Sequence, residues 1–339
     1  MNILVTGAGG GIGQGVIKSL KMIKDMDIKI VAADMSKLAT GLYAADSAYL
    51  VDRYDSDKYL ETLSKIFKKE SIDFYIPGTD VELKFCATNK QIIMDEFNVH
   101  TIVSSVEVID IADNKYKTSS FLNKHGFNYP KTDYLKNVDL KSIEFPVIIK
   151  PSVGYSSKGV YKVNNIDELT PHLKDIKDIL IQECIGNEDT EHTCTVVKIN
   201  NKLSPVLVLK RILRLGDTYR AEPIKSEKIE RYVLDISSKL KIDGGCNFQL
   251  RLDKHGEPYI FEINSRFSGT TPFCAQIGFN PVEYYLKSFA GLESTVNIDY
   301  DSIVLRHWSE VVIKKSLLNK LSKSSNIEPS LVEQFKLFL

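Results

Sequence analysis

Over the first hundred residues, two hydrophobic periods take turns. Short unbroken apolar runs, beginning with Ile3-Leu4-Val5, have the texture of strands buried on both faces. They predict strands over 2–6, 28–33, 48–51, 73–77 and 100–103. Between them, apolar residues fall at helical spacing, as at Val16, Ile17 and Leu20, and predict helices over 12–24, 57–69 and 80–96. This alternation is that of a parallel sheet covered on both faces.

A boundary is expected near 105–115, where the texture changes. DNKYKTSSFLNKHGF reads as one helix capped at Asp113 and ending before Gly126. The pattern then predicts a strand through Lys150, a Gly/Ser turn and a second strand, a helix over 166–174, and the strand ILIQECI. Two strands joined by an NNK turn, 191–200 and 203–210, precede a helix over 226–240. GCNFQLRLDKHG and EPYIFEINSRF form a hairpin around Lys254-His255-Gly256, followed by helices over 272–278 and 281–290. The last forty residues have no clear period.

The first strand runs into VTGAGGGIG, with glycines at 7, 9, 10, 11, 13 and 15. Strand, glycine turn and helix aim backbone N–H groups at a phosphate. The second strand ends in Asp34, at about the 20-residue distance where an acid meets a ribose hydroxyl in a dinucleotide fold. An NAD(P)-dependent oxidoreductase is therefore one reading. Against it, the only Tyr-x-x-x-Lys pair nearby, Tyr54 with Lys58, falls before the third or fourth strand is complete. That reading also leaves residues 145–270 unexplained. IPGTD at 76–80 sets Gly, Thr and Asp at a strand's end, where open α/β sheets place ligands; it also suits a helix cap at Thr79 or Asp80.

Charge narrows the partners. Lys plus Arg number 44 and Asp plus Glu number 44, so no net charge draws the chain to nucleic acid or an anionic membrane. The five cysteines show no CxxC pair, as suits a reducing, cytoplasmic setting. No apolar run approaches ~18 residues and no leader precedes Ile3, so neither a membrane span nor a signal peptide is expected.

Three segments carry chemistry. In IIKPSVGYSSKGV, Lys150 closes an apolar strand, and a loop with Gly154, Ser156, Ser157 and Gly159 follows. Such a loop lays backbone N–H groups over phosphates, with Lys158 adding charge, although a plain hairpin has the same composition. In FQLRLDKHGEPYIFEINSRFSG, the period of two puts Gln249 with Arg251, and Glu262 with Asn264 and Arg266, on common faces. One carboxylate and amide carbonyls are hard oxygen ligands for Mg²⁺, and Arg266 suits a phosphoryl oxygen or a carboxylate. In IQECIGNEDTEHTCTVV, backbone groups after Gln182 and Glu183 suit an adenine edge, and Glu188 or Glu191 a ribose hydroxyl.

Together these segments resemble the ATP-grasp superfamily of carboxylate–amine ligases, in the style of proteins similar to the carbamoyl-phosphate synthase large chain. The resemblance covers most of residues 1–290. It implies a mixed α/β and α+β fold: a Rossmann-like pre-ATP-grasp domain over 1–110, an ATP-grasp small lobe with the phosphate loop over 111–190, and a large lobe with the metal site over 191–300. Residues 301–339 remain an unassigned tail. By resemblance, Lys115 and Lys150 contact the nucleotide phosphates, and Ser156, Ser157 and Gly159 belong to the covering loop. Gln182, Glu183 and Ile185 match the adenine hinge, and Glu191 matches the ribose carboxylate. Gln249, Glu262 and Asn264 match the metal set, with Arg266 beside them as a catalytic residue together with Lys150. The leading glycine turn would then serve the acceptor substrate or packing rather than NAD.

The expected reaction is an ATP-dependent ligation with Mg²⁺, or in its place Mn²⁺, as metal. A carboxylate takes the γ-phosphoryl group, an amine displaces phosphate from the acyl phosphate, and Arg266, with Arg220 or Lys210-Arg211, steadies the developing oxyanion. The implied partners are a small carboxylate and a small amine, with a homodimer through the tail as a further possibility. An ATP-dependent carboxylase and a non-catalytic nucleotide-binding protein on the same fold are the other readings.

Overall fold

The computed structural model describes residues 1–154, 158–171, 178–307 and 309–328. The expected alternation is present at the N-terminus. Strands β1 (Asn2–Val5), β2 (Lys29–Asp34), β3 (Ser47–Leu50), β4 (Phe74–Ile76) and β5 (His100–Thr101) pair in parallel in the order β3-β2-β1-β4-β5. Helix α1 (Gly11–Met22) buries Val16, Ile17 and Leu20 against one face. Helices α2 (Tyr59–Glu70) and α3 (Leu83–Phe97) cover the other through Leu63, Phe67 and Ile93.

The helix expected from Asp113 is present, capped one residue later, and a further helix that was not expected precedes it. Helix α4 (Val106–Asp113) ends where α5 (Lys115–Lys124) begins, and the cap of α5 is Asn114, whose side chain accepts from the N–H groups of Tyr116 and Lys117. Asn114 has extended backbone, which breaks the helix and turns the chain so that Lys115 starts a new one. A four-stranded sheet follows, with β6 (Thr132–Tyr134), β7 (Val147–Pro151), β8 (Tyr161–Val163) and β9 (Ile179–Glu183) in the order β6-β9-β7-β8. Helix α6 is described over Ile166–Leu169, and residues 172–174 of the expected 166–174 lie outside the described residues.

The larger sheet is antiparallel. Strands β10 (Glu191–Ile199), β11 (Lys202–Leu203), β12 (Leu207–Arg214), β13 (Asp217–Pro223), β14 (Gly244–Leu252) and β15 (Pro258–Asn264) run in the order β15-β14-β10-β12-β13, with β11 beside β10. The strand expected at 203–210 thus begins later and continues through Arg214. Strand β13 was not expected: of its side chains Asp217, Tyr219 and Arg220 face water, so it shows no apolar run. Helix α7 (Glu227–Leu240) packs under this sheet by Ile229, Val233, Ile236 and Leu240, spaced as one helix face, and is capped by Ser226.

Helices α8 (Thr271–Gln276) and α9 (Pro281–Phe289) join the two larger sheets: Phe273, Tyr284 and Leu286 share one core with α1, β1 and β2. The tail returns to both units. Strand β16 (Val304–Leu305) adds an edge to the large sheet beside β13. Helix α10 (Lys315–Ser324) leads to β17 (Asn326–Ile327), which pairs antiparallel with β3. Among the described residues no helix is long and apolar enough to cross a membrane.

Candidate active site

The glycine turn packs closely within its own unit. Asp34 accepts from the N–H of Gly9 and of Ser36, each at 2.8 Å, so both carboxylate oxygens are already bonded to the backbone. A Cβ on Gly9 would lie 2.9 Å from that of Ala39, and one on Gly13 only 2.3 Å from the carbonyl oxygen of Gly7. These glycines let β1, β2 and α1 approach one another. The IPGTD turn has its own closure. Buried Glu82 accepts from the N–H groups of Gly78 and Thr79 and the hydroxyls of Thr6 and Tyr59. Neither Thr79 nor Asp80 caps α3, whose N-cap is Glu82. Asp80 is left to reach across to the large sheet.

Between the small and large sheets lies a cavity of about 190 Å³. Lys150, on β7, is buried there; its Nζ donates to Gln182 Oε1 at 2.8 Å and lies 5.8 Å from the centre of the Phe261 ring. Burial, with the positive charge of Lys115 next, lowers its pKa to about 7. Lys115, brought in by the break before α5, is buried too and donates to the carbonyl of Gly154 at 3.1 Å. Gln182, Glu183 and Ile185 line the same cavity. Gly159 has a φ of +74° and lies outside the lining; Ser156 and Ser157 lie outside the described residues.

The opposite wall comes from the β14–β15 hairpin. Its register sets Gln249 across from Glu262 and Asn247 across from Asn264. Asn264 Nδ2 donates to Glu262 Oε1 at 3.1 Å, and Arg266 Nη2 donates to Asn264 Oδ1 at 3.0 Å. Arg266 is also gripped from the N-terminal unit: Nε and Nη2 donate to the two oxygens of Asp80 at 2.7 and 3.1 Å. This two-pronged bridge, 186 residues apart in sequence, was not expected.

Glu191 is more engaged than expected. One oxygen takes Nε and Nη2 of Arg211, and the other takes Nε and Nη2 of Arg251, at 2.8–3.2 Å. Burial opposes its charge, yet the two guanidinium groups hold its pKa below the usual range. A carboxylate has about four acceptor sites, and all are taken here. Arg211 Nη2 also donates to Gln249 Oε1 at 2.9 Å, which ties this cluster to the metal-set candidates. Glu188, by contrast, is exposed on a 3₁₀ turn. Lys210 and Arg220 do not line the cavities around Glu262; Arg220 faces solvent, 3.5 Å from Glu222.

The group Glu262, Asn264 and Gln249 offers one carboxylate and two amides, hard oxygen donors that suit Mg²⁺ completed by water or phosphate oxygens. Two further cavities meet at Glu262, of about 480 and 210 Å³, so this carboxylate stands where three spaces converge.

The sequence matches the PylC-like N-terminal domain over residues 3–102 and the ATP-grasp domain over residues 112–270. It is 26% identical to the carbamoyl phosphate synthase large chain of Thermoanaerobacter sp. (strain X514), over 98% of this chain and 33% of that protein. The corresponding protein of Clostridium beijerinckii is 26% identical over 83% of this chain and 28% of its own length. This chain therefore spans about a third of the curated relatives it matches. In fold it is similar to N5-carboxyaminoimidazole synthetase from Staphylococcus aureus complexed with ADP, with a TM-score of 0.69 and 17% identity over 89% of this chain and 80% of that one. It is also similar to L-amino acid ligase from Bacillus licheniformis, with a TM-score of 0.68 and 16% identity over 88% of this chain and 77% of that one. The chain thus carries an ATP-grasp domain set behind a PylC-like N-terminal domain.

Proposed function

We propose that this protein is an ATP-dependent ligase that joins a small carboxylate to a small amine through an acyl phosphate, releasing ADP and phosphate. The observation that carries the reading is one cavity with two buried lysines, Lys115 and Lys150, on one wall and Glu262 on the other. Two cations kept out of water beside a cavity suit a polyphosphate, and the hinge of Gln182, Glu183 and Ile185 at the same cavity suits its base. Since the acceptor sites of Glu191 are filled, its part is to align Arg211 and Arg251 along the wall, in place of the ribose contact expected from sequence.

Glu262 and Asn264, with Gln249, would hold Mg²⁺, which supplies charge neutralisation on phosphate oxygens. The chain's own groups do the rest. Lys115 and Lys150 orient the phosphates so that a carboxylate oxygen meets the γ-phosphorus in line with the bond to ADP. That P–O bond breaks as the new one forms. The amine nitrogen then attacks the acyl carbon, and the carbon–oxygen bond to phosphate breaks. Arg266, fixed by Asp80 and Asn264, faces the charge that gathers on the acyl oxygen.

A second reading has bicarbonate as the carboxylate. It is favoured by the likeness in fold to the biotin carboxylase domain of Hydrogenobacter thermophilus 2-oxoglutarate carboxylase in complex with MgADP and bicarbonate, at a TM-score of 0.67 and 17% identity over 89% of this chain and 73% of that one. The test for both is Mg²⁺-dependent ADP release over a panel of acids with amines, with and without added bicarbonate. Release that needs an acid and an amine supports the ligase. Release driven by bicarbonate with no organic acid supports the carboxylase. Release with neither refutes both.

A further inference from the structure

A buried amide opens into the cavity of about 210 Å³ beside Glu262, Asn264 and Arg266. Asn247, on β14, is 3% exposed and lines this cavity, but it does not line the one that holds Lys115 and Lys150. The period of two sets it in one row with Gln249. Its Oδ1 accepts from the hydroxyls of Thr193 at 2.8 Å and Thr195 at 3.5 Å, both on the neighbouring strand β10. The Thr195 hydroxyl accepts in turn from Cys274 Sγ at 3.6 Å, which leaves its own hydrogen for Asn247. The amide is thus fixed with its oxygen toward β10. Its Nδ2 has no partner among the described residues. A buried donor left unpaired costs stability, so a folded chain keeps one for a reason.

Charge does not choose the occupant of this cavity. Arg211, Arg266 and Arg306 line it, and so do Asp80, Asp217 and Glu262. Arg266 is held by Asp80, Arg211 by Glu191 and Gln249, and Arg306 Nη2 donates to the carbonyl of Gly269 at 2.6 Å. Asn247 does choose. An amide nitrogen only donates, so it suits an oxygen acceptor and offers nothing to an ammonium group. Its cross-strand partner Asn264 belongs to the proposed metal set, so a group bound by Asn247 stands next to the reacting centre.

We infer that Asn247 is a binding residue for the carboxylate substrate, with Nδ2 donating to a carboxyl oxygen in this cavity, whether the carboxyl belongs to an organic acid or to bicarbonate. The inference rests on the ligase reading for the reaction at Glu262. It also separates the two substrates: the acid is read by Asn247 and the amine is not.

The test is thermal unfolding of the full chain at pH 8 in saturating Mg-ADP, titrated separately with acetate, bicarbonate and ethylamine. Acetate or bicarbonate is expected to raise the unfolding temperature, and which of them does so assigns the source of the carboxyl. Asn247→Asp keeps the size and the acceptor for Thr193 but loses the donor; Asn247→Ala loses both. The apparent affinity for the acid is expected to fall about tenfold in Asn247→Ala, as when a hydrogen bond to a charged group is lost, and further in Asn247→Asp, where two carboxylates meet. A packing role gives the opposite order, since the Asp side chain keeps the shape. No rise with either acid in the wild type, an acid affinity unchanged in both variants, the opposite order, or an ethylamine rise that the variants abolish overturns the inference. The Mg-ADP rise is expected to be the same in all three proteins, which shows that the variants are folded. Its absence from the wild type would sink the nucleotide reading by itself, and the acid titrations would then be read without ADP against the same two variants.

Discussion

Lys150 gives the sharpest prediction, because burial beside Lys115 lowers its pKa to about 7. At pH 8 about one free molecule in ten then carries the proton. Nucleotide phosphates favour the charged ammonium, so binding pulls the proton back on. Binding of Mg-ADP at pH 8 is expected to take up close to one proton, and at pH 6 almost none. Above pH 7 the affinity is expected to fall by close to tenfold per pH unit, ~1.4 kcal/mol each. Calorimetry in Tris and in HEPES separates the proton's heat from the binding heat. Lys150→Arg, which keeps its charge throughout, is expected to lose the uptake. The stability sign runs the other way. The folded chain holds this proton less tightly than the unfolded chain, so the charged lysine destabilises the fold most below pH 7, and that loss fades as pH rises above 7. Lys150→Met is therefore expected to gain most over the wild type in urea at pH 6, with the gain shrinking by pH 9. No proton uptake at pH 8, or an affinity flat from pH 7 to 9, refutes the reasoning.

Other outcomes follow from the same geometry. Glu262→Gln keeps the size and loses the only carboxylate of the proposed metal set; ADP release is expected to vanish while the far-UV spectrum and unfolding midpoint stay, and normal turnover would remove Glu262 from the mechanism. Glu191→Gln breaks a carboxylate held by two guanidinium groups, a change that costs about 3–5 kcal/mol at buried pairs. The lower end is expected, since the Arg251 side chain is 24% exposed, and an unchanged urea midpoint would count against the cluster. Gly78→Ala places a Cβ 2.1 Å from the carbonyl oxygen of Thr6 and is expected to lower the unfolding temperature sharply; a wild-type value would show that the turn can yield.

How far the sequence reached depended on the range of each interaction. The N-terminal strands were legible because Ile3-Leu4-Val5 and their counterparts are apolar runs between turn residues. The row Glu262, Asn264, Arg266 was legible because a strand's period of two is local. Strand β13 was hidden, since five polar or exposed positions surround Ala221 and it holds its place by backbone pairing with β12. The Asp80–Arg266 bridge and the two arginines on Glu191 depend on strands and units meeting across long stretches of chain, which no local pattern records. The same holds for Arg306, which the short β16 pairing and a hydrogen bond to the carbonyl of Gly269 bring to the cavity of about 210 Å³ beside Glu262. At the glycine turn the local spacing suits a dinucleotide, while the Asp34 bonds and the approach of Ala39, which no local pattern records, show the same glycines packing β1, β2 and α1 together.

The central claim is that an adenine nucleotide binds between the two ATP-grasp sheets and that NAD does not bind at the glycine turn. Thermal unfolding with Mg-ATP, Mg-ADP, NAD and NADP, each against buffer, tests it most directly. The expected result is a magnesium-dependent rise with ATP and ADP, lost in Lys150→Met, and none with NAD or NADP. A rise with NAD or NADP and none with the adenine nucleotides would contradict the account.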